Sequence, residues 1–230
     1  VNGLVLAAGL GFVAGYADAT GYLHWHVFAA NMTGNTVLFG ITLLENRTGA
    51  LMPLVPIAAF VVGSMIAAVL LPYVRPAALL VLEAALLVAS AFGRGYAAQL
   101  ACLALAMGVQ NSSASQFDGV PANTSFITGD YTRFGRAVAN IVSGRATAND
   151  RQGVVVVVPL IAAYAMGALI AVISGHAAQL SLLLVVPVVL GLAYVSRKFT
   201  VQPQKGSDPW TPSSSTPRDR SASKRSTNPR

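Results

Sequence analysis

The chain has 230 residues, of which 54% are hydrophobic and only 10% charged. Soluble domains carry about 25% charged residues, so the composition excludes an ordinary water-soluble fold and points to lipid as the main solvent. The net charge of +7 is unevenly placed: from Arg197 onward there are eight basic and two acidic residues (+6), against seven basic and six acidic (+1) before it, so the basicity belongs to a tail and does not indicate a nucleic-acid partner.

Residues 3–23 form the first apolar segment. Residues 3–16 followed by Ala17-Asp18-Ala19 loosely resemble a cleaved leader, but no basic region precedes them, and the segment is expected to be kept. Gly11 and Gly15 are four apart, share a helix face and allow a second helix to come close. A Gly-x-Gly start does not signal dinucleotide binding here, because no strand precedes it and no βαβ unit follows. Asp18 lies towards the end of the segment. A carboxylate at membrane depth costs a few kcal/mol or more, so it faces the protein interior or water, or caps a helix at the interface. His24-Trp25-His26 follows and reads as an interfacial aromatic belt. With no third ligand nearby, no metal site is expected.

The next stretch, Asn31-Met32-Thr33-Gly34-Asn35-Thr36, is polar and wedged between apolar runs. Its threonines can return hydroxyl bonds to backbone carbonyls, Gly34 permits a bend, and Asn31 and Asn35 offer amide donors and acceptors. An apolar stretch to Leu44 ends in Glu45-Asn46-Arg47. Residues 51–71 are uncharged, and a bilayer crossing takes roughly 20 apolar residues. Pro72–Pro76 is a turn, and residues 77–92 are apolar except for Glu83, an acid near mid-membrane. Gly93-Arg94-Gly95 turns the chain again. Residues 97–110 are apolar and end in Gln110-Asn111-Ser112-Ser113. The single cysteine, Cys102, sits in this run, so no intrachain disulfide and no cysteine metal cluster can form.

A polar loop through Asp118, Pro121 and Asn123 leads to Phe126-Ile127-Thr128-Gly129-Asp130-Tyr131-Thr132-Arg133-Phe134-Gly135, a second copy of the Thr-Gly break. Arg133, Arg136 and Asn140 fall broadly on one helix face, and Arg133 is three past Asp130, within reach of an ion pair. Residues 154–175 and 177–196 are two more spans. The Pro, Ser, Lys and Arg of the tail cannot build a core, so residues 197–230 are expected to be a disordered cytoplasmic tail with weak attraction to anionic lipid.

The chain repeats itself. Ile57–Ala67 lies over Ile161–Ala171 at an offset of 104, the Thr-Gly breaks align at 95, and Gly15 aligns with Gly108 at 93, which puts Asp18 opposite Asn111. The expected fold is therefore all-α: a polytopic transmembrane bundle over residues 1–196, made of two related halves, about 1–93 and 94–196. If the short segments after the breaks cross the membrane there are eight crossings and parallel halves. If they are re-entrant there are six and the halves are inverted; seven arise if one crosses. The positive-inside rule leans towards eight.

Gly15–Tyr22, Ala30–Thr36, Met107-Gly108-Val109-Gln110-Asn111 and Thr128-Gly129 resemble the YoaK-like bacterial membrane proteins, also described as DUF1275 or UPF0700. The resemblance covers about residues 8–196 and implies a multi-pass protein of the bacterial cytoplasmic membrane. It implies no substrate, reaction or functional residue.

A duplicated polar break in a membrane chain points to a binding site. The expected activity is that of a small-solute or ion transporter, not an enzyme. No catalytic residue, cofactor or metal is assigned, and no zinc motif, nucleophile elbow or phosphate loop is present in the sequence. Candidate binding residues are Asp18, Asn31, Thr33, Gly34, Asn35, Glu83, Asn111, Thr128, Gly129, Asp130 and Arg133. Expected partners are membrane lipid, a small polar solute or ion, and further copies of the chain. The alternative is a non-transporting structural, lipid-binding or regulatory membrane protein in which the breaks only glue helices together.

Overall fold

Apolar residues surround the first segment on every side, as in a helix with no water-facing stripe. In the computed structural model it forms one unbroken helix, α1 (Asn2–Trp25). The structure describes residues 2–45, 49–114, 116–117, 120–121, 124, 127–175 and 181–196. Asn46, Arg47, Asp118, Asn123, Phe126, residues 177–180 of the last span and the tail from Arg197 lie outside the described residues.

After α1 come α2 (Met32–Leu44), α3 (Leu54–Leu70), α4 (Pro76–Phe92) and α5 (Tyr96–Ser113). Then follow α6 (Ile127–Val142), α7 (Ala148–Ser174) and α8 (Val186–Ser196), the last preceded by a 3₁₀ turn at Leu182–Leu184. The turn residues read from the sequence do their expected work. Pro76 opens α4 after an extended Arg75, and Gly95, at φ 89°, lets α4 and α5 form a tight antiparallel pair. Thr147 and Asp150 cap α7 reciprocally. One detail departs from the all-helical expectation: Gln116–Phe117 pairs with Val120–Pro121 in a two-residue antiparallel ribbon inside the α5–α6 connection. Among the described residues α1 and α7 are long and apolar enough to cross a membrane, and α2, α3, α4 and the segment Leu182–Ser196 are shorter apolar helices. Large apolar side chains stand exposed on the outer faces of α3 (Val62, Met65, Val69) and α7 (Val155, Leu169, Ile173), the pattern of a lipid-facing surface.

Packing follows the glycines. α1 packs most extensively on α7, and α3 on α5. A Cβ on Gly15 would overlap the carbonyl oxygen of Tyr164, and one on Gly167 the carbonyl oxygen of Phe12. In the other pair, a Cβ on Gly108 would overlap the carbonyl oxygen of Phe60, and one on Gly63 that of Leu105. Adding 93 to Phe12 and Gly15 gives Leu105 and Gly108; adding 104 to Phe60 and Gly63 gives Tyr164 and Gly167. The two crossings are thus the same contact made twice, at the offsets seen in the sequence. Each pairs the first helix of one half with the third helix of the other.

The α1–α7 contact also fixes a direction. A Cβ on Gly11 would stand 2.9 Å from the carbonyl oxygen of Leu160, and Gly15 faces that of Tyr164. Both helices advance four residues between these contacts, about 6 Å at 1.5 Å per residue, in the same sense. Antiparallel helices would separate the second pair by about 12 Å. α1 and α7 therefore run parallel. If α3, α4 and α5 each cross between them, α2 and α6 must both cross or both fail to cross, and seven crossings then do not fit. The start of α1 and the end of α8 lie on one side.

Two outcomes are expected. Gly15→Ala lowers the melting temperature in detergent, since overpacking a tight contact costs roughly 1–3 kcal/mol. Gly40→Ala, with nothing within 4 Å of its Cβ, raises it; equal melting of the two variants would refute the close crossing. In a Cys102→Ser background, the exposed His26→Cys and Asn149→Cys react with an impermeant thiol reagent from opposite faces, and labelling from one face would break the parity.

Candidate functional site

At the end of α1 the chain reverses. His26 takes a left-handed φ of 56°, with its N–H donating to the Tyr22 carbonyl at 3.0 Å, and the backbone folds back along the helix it has just left. Tyr22 stacks on Phe28 with centroids 5.2 Å apart. The returning strand is held by Asp18, which is buried. Its Oδ1 accepts the N–H groups of Ala30 (2.6 Å) and Asn31 (3.1 Å), and its Oδ2 accepts the Tyr164 hydroxyl of α7. One carboxylate thus ties α1, the entry to α2, and α7 together.

The other polar residues of the first break serve the same turn. The fully buried Asn35 clips Phe28 from both sides: the Phe28 N–H donates to Oδ1 at 2.8 Å, and Nδ2 donates to the Phe28 carbonyl at 2.7 Å. Asn31 Oδ1 accepts the Gly34 N–H at 3.0 Å and caps α2. A Cβ on Gly34 would press on the Phe28 ring at 2.9 Å. The Thr36 hydroxyl donates to the Met32 carbonyl at 2.9 Å, and Thr33 is exposed. Of the candidates here, Asp18, Asn31, Gly34 and Asn35 are brought together, and their hydrogen-bonding capacity goes into the turn.

The second break is arranged differently. Thr128 and Gly129 are exposed on α6. Asp130 is buried and pairs with Arg133, Nη1 to Oδ1 at 2.8 Å, which is the intrahelical ion pair expected from the spacing. Asn111 sits on α5, partly exposed, with Oδ1 buried and without a hydrogen-bond partner. Glu83 is fully buried in α4, and neither carboxylate oxygen has a partner.

Sequence reasoning passed over three groups. Gln110, fully buried, donates from Nε2 to the Leu10 carbonyl (3.1 Å) and the Thr124 hydroxyl (2.9 Å), while its Oε1 is left unpaired. On α1, Tyr16 and Thr20 share a face at a spacing of four, and their buried hydroxyls have no partner. Tyr164 was legible as the one hydroxyl within Ile161–Ala171, standing where Ile57–Ala67 has Phe60. Apart from these polar groups, a groove of about 370 Å³ runs along α3, lined by Val62, Met65, Ile66, Val69 and Leu70. It contains no polar group and stands apart from the site. Among the described residues no three His, Cys, Asp or Glu side chains are placed to share a metal ion.

Comparison with known proteins places this arrangement. The family described as a protein of unknown function, DUF1275, matches residues 6–196. The chain belongs to the DUF1275 family. A relative, a UPF0700 transmembrane protein of Rhizobium meliloti (strain 1021), is 29% identical over 182 residues, covering 78% of this chain and 80% of the relative. No solved structure matches the chain. The DUF1275 match begins inside α1, covers the other helices of the described residues and stops where the basic tail begins, and the helical bundle is a transmembrane one.

Substitutions should separate turn-holding residues from bystanders in this DUF1275 protein. Asn35→Ala strands a buried N–H and a carbonyl of Phe28 and is expected to cost about 1–3 kcal/mol, while Thr33→Ala is neutral. Asp18→Asn and Tyr164→Phe should each destabilise, and the double variant should lose less than the sum of the two. Additive losses in reversible unfolding would show that the two side chains do not interact.

Proposed function

We propose that this protein is a small-solute or ion permease of the bacterial cytoplasmic membrane, with six crossings and inverted halves. The observation that carries the reading is where the unpaired polar atoms lie. Among the described residues the buried side-chain oxygens without partners, those of Tyr16, Thr20, Glu83, Gln110 and Asn111, all sit on α1, α4 and α5. Those helices pack in series, α1 on α5 and α5 on α4. Each unsatisfied buried group costs about 1–3 kcal/mol, so a row of them on adjoining helices is a lining for water or a polar solute. The residues of the first break act as the hinge-pin of that lining, and Gln110, Asn111, Tyr16 and Thr20 face what passes.

Two observations support inverted halves. Arg133 and Arg136 sit at the middle of α6, Arg136 is exposed, and the Arg133 side chain is 39% exposed. Exposed arginines at mid-helix are expensive in hydrocarbon, so α6 lies at the interface or re-enters, and by parity α2 does the same. Gln110 is the counterpart of Ala17, yet it reaches Leu10, seven residues earlier. Equivalent helices related by an axis in the membrane plane meet in this antiparallel way; parallel halves would bring Leu10 to Leu103. With the tail in the cytoplasm, Arg75 and the run Arg133–Arg151 are cytoplasmic. We read the protein as non-enzymatic, with lipid and further copies of itself as partners.

A second reading, a non-transporting structural or lipid-binding protein, is favoured by the saturated hydrogen bonds of the first break. Flux decides between them. Liposomes holding the purified protein should pass sodium, potassium, protons or a member of a small polar solute panel, and Gln110→Leu should abolish that flux in a protein that still folds. No flux of any of these would favour the structural reading. Thr33→Cys and Thr128→Cys should label from opposite faces; labelling from one face would overturn the inverted arrangement.

A further inference from the structure

We infer that Glu83 is a proton-exchanging site inside the membrane domain, at the junction of α4 with α5 and α8. The inference deepens the permease reading by naming a proton as one of the species the bundle handles, and it rests on that reading only for what the proton does.

Glu83 is fully buried, and both of its oxygens lack a hydrogen-bond donor. α4 packs against α5, α8 and the turn Leu182–Leu184. The titratable groups on those elements are Tyr96 and Cys102 of α5 and Tyr194 of α8. Tyr96 and Tyr194 point outward, Cys102 is half-buried, and none of the three carries a positive charge. The arginines at the two ends of α4, Arg75 and Arg94, are exposed and lie eight and eleven residues from Glu83. That is about 12 and 16 Å along a helix axis. An ionised carboxylate without donor or counter-charge at this depth is strongly unfavourable, whereas the neutral acid is tolerated. The group that neutralises Glu83 is therefore a proton.

Register supplies an acceptor. The Ser90 hydroxyl donates to the Gln99 carbonyl at 2.7 Å, which sets residue 90 opposite 99 in the antiparallel pair. Seven residues back from Ser90 is Glu83, and seven on from Gln99 is Ala106. Gln110, with its unpaired Oε1, is one turn further along α5. The same Gln110 donates to the Leu10 carbonyl of α1, so the unpaired oxygen beside α4 belongs to a side chain that also holds α1. A proton fits this environment better than a metal cation, which takes several oxygen ligands at once.

Infrared spectroscopy of the reconstituted protein tests the site, read at the carbonyl stretch of a protonated carboxylic acid. The expected result is a band at neutral pH that is missing in Glu83→Gln, shifts in deuterium oxide, and disappears reversibly as the pH is raised. A band that is missing in Glu83→Gln but answers neither to deuterium oxide nor to pH marks a sealed packing acid and overturns the proposal. So does the absence of any difference between the two spectra. Should Glu83→Gln fail to fold, Glu83→Asp keeps the acid and should displace the band. Flux separates this site from the broader reading. A titrating band in a protein that moves no solute removes the permease and leaves the site. Proton-driven flux unchanged in Glu83→Gln removes Glu83 from the coupling and leaves the permease.

Discussion

Two places where helix backbones touch hold this bundle together. In lipid there is no hydrophobic force to drive one apolar helix onto another, so association depends on close van der Waals contact between main chains, and small residues permit it. Here Gly15 and Gly167 join α1 to α7, and Gly63 and Gly108 join α3 to α5. Each crossing takes one helix from either half. From these contacts follows the parallel sense of α1 and α7, and α1 packs in addition on α5, where Gln110 reaches Leu10.

The two halves share that scaffold but differ in their polar chemistry. In one, an acid on the first helix meets a phenol on its partner, and Asp18 and Tyr164 fasten the reversing chain. At the matching positions of the other stand Asn111 and Phe60, and without a hydroxyl the Asn111 Oδ1 has no partner. Fastening on one side and open valence on the other is a division of labour. The closed side sets the geometry, and on the open side and the neighbouring α1 and α4 buried oxygens stand without partners.

Much of this was legible beforehand, and for physical reasons. Uncharged runs of membrane length announced α3 and α7, and Pro76 and Gly95 announced the turns around α4. The Asp130–Arg133 pair followed from helical spacing. Gly11 and Gly15 marked a face open to close approach, because such approach leaves glycine as its trace, but which helices meet there came only from the fold. The role of the first break was not legible. Asn31, Thr33 and Asn35 look alike as polar residues in an apolar context, and only the folded turn shows that Asn35 is buried and bonded while Thr33 is exposed. Gln110 was passed over because its significance comes from Leu10, 100 residues away. Counting arginines on loops leans towards eight crossings, and that rule takes no account of Arg136, which projects from the middle of α6.

Because the halves trade their third helices, neither holds a complete set of its own partners. As the chain leaves the ribosome, α1 enters the bilayer and waits through five further helices before α7 appears, while α3 waits only for α5. Of the two glycine crossings, the one that α1 begins is the later to close. Until then Asp18, and Tyr16 and Thr20 on the opposite side of the helix, lack their folded surroundings. An interlaced architecture therefore makes biogenesis an all-or-nothing event: a chain arrested after the first half leaves an unmatched glycine face and an unanchored acid, the sort of fragment that membrane quality control removes.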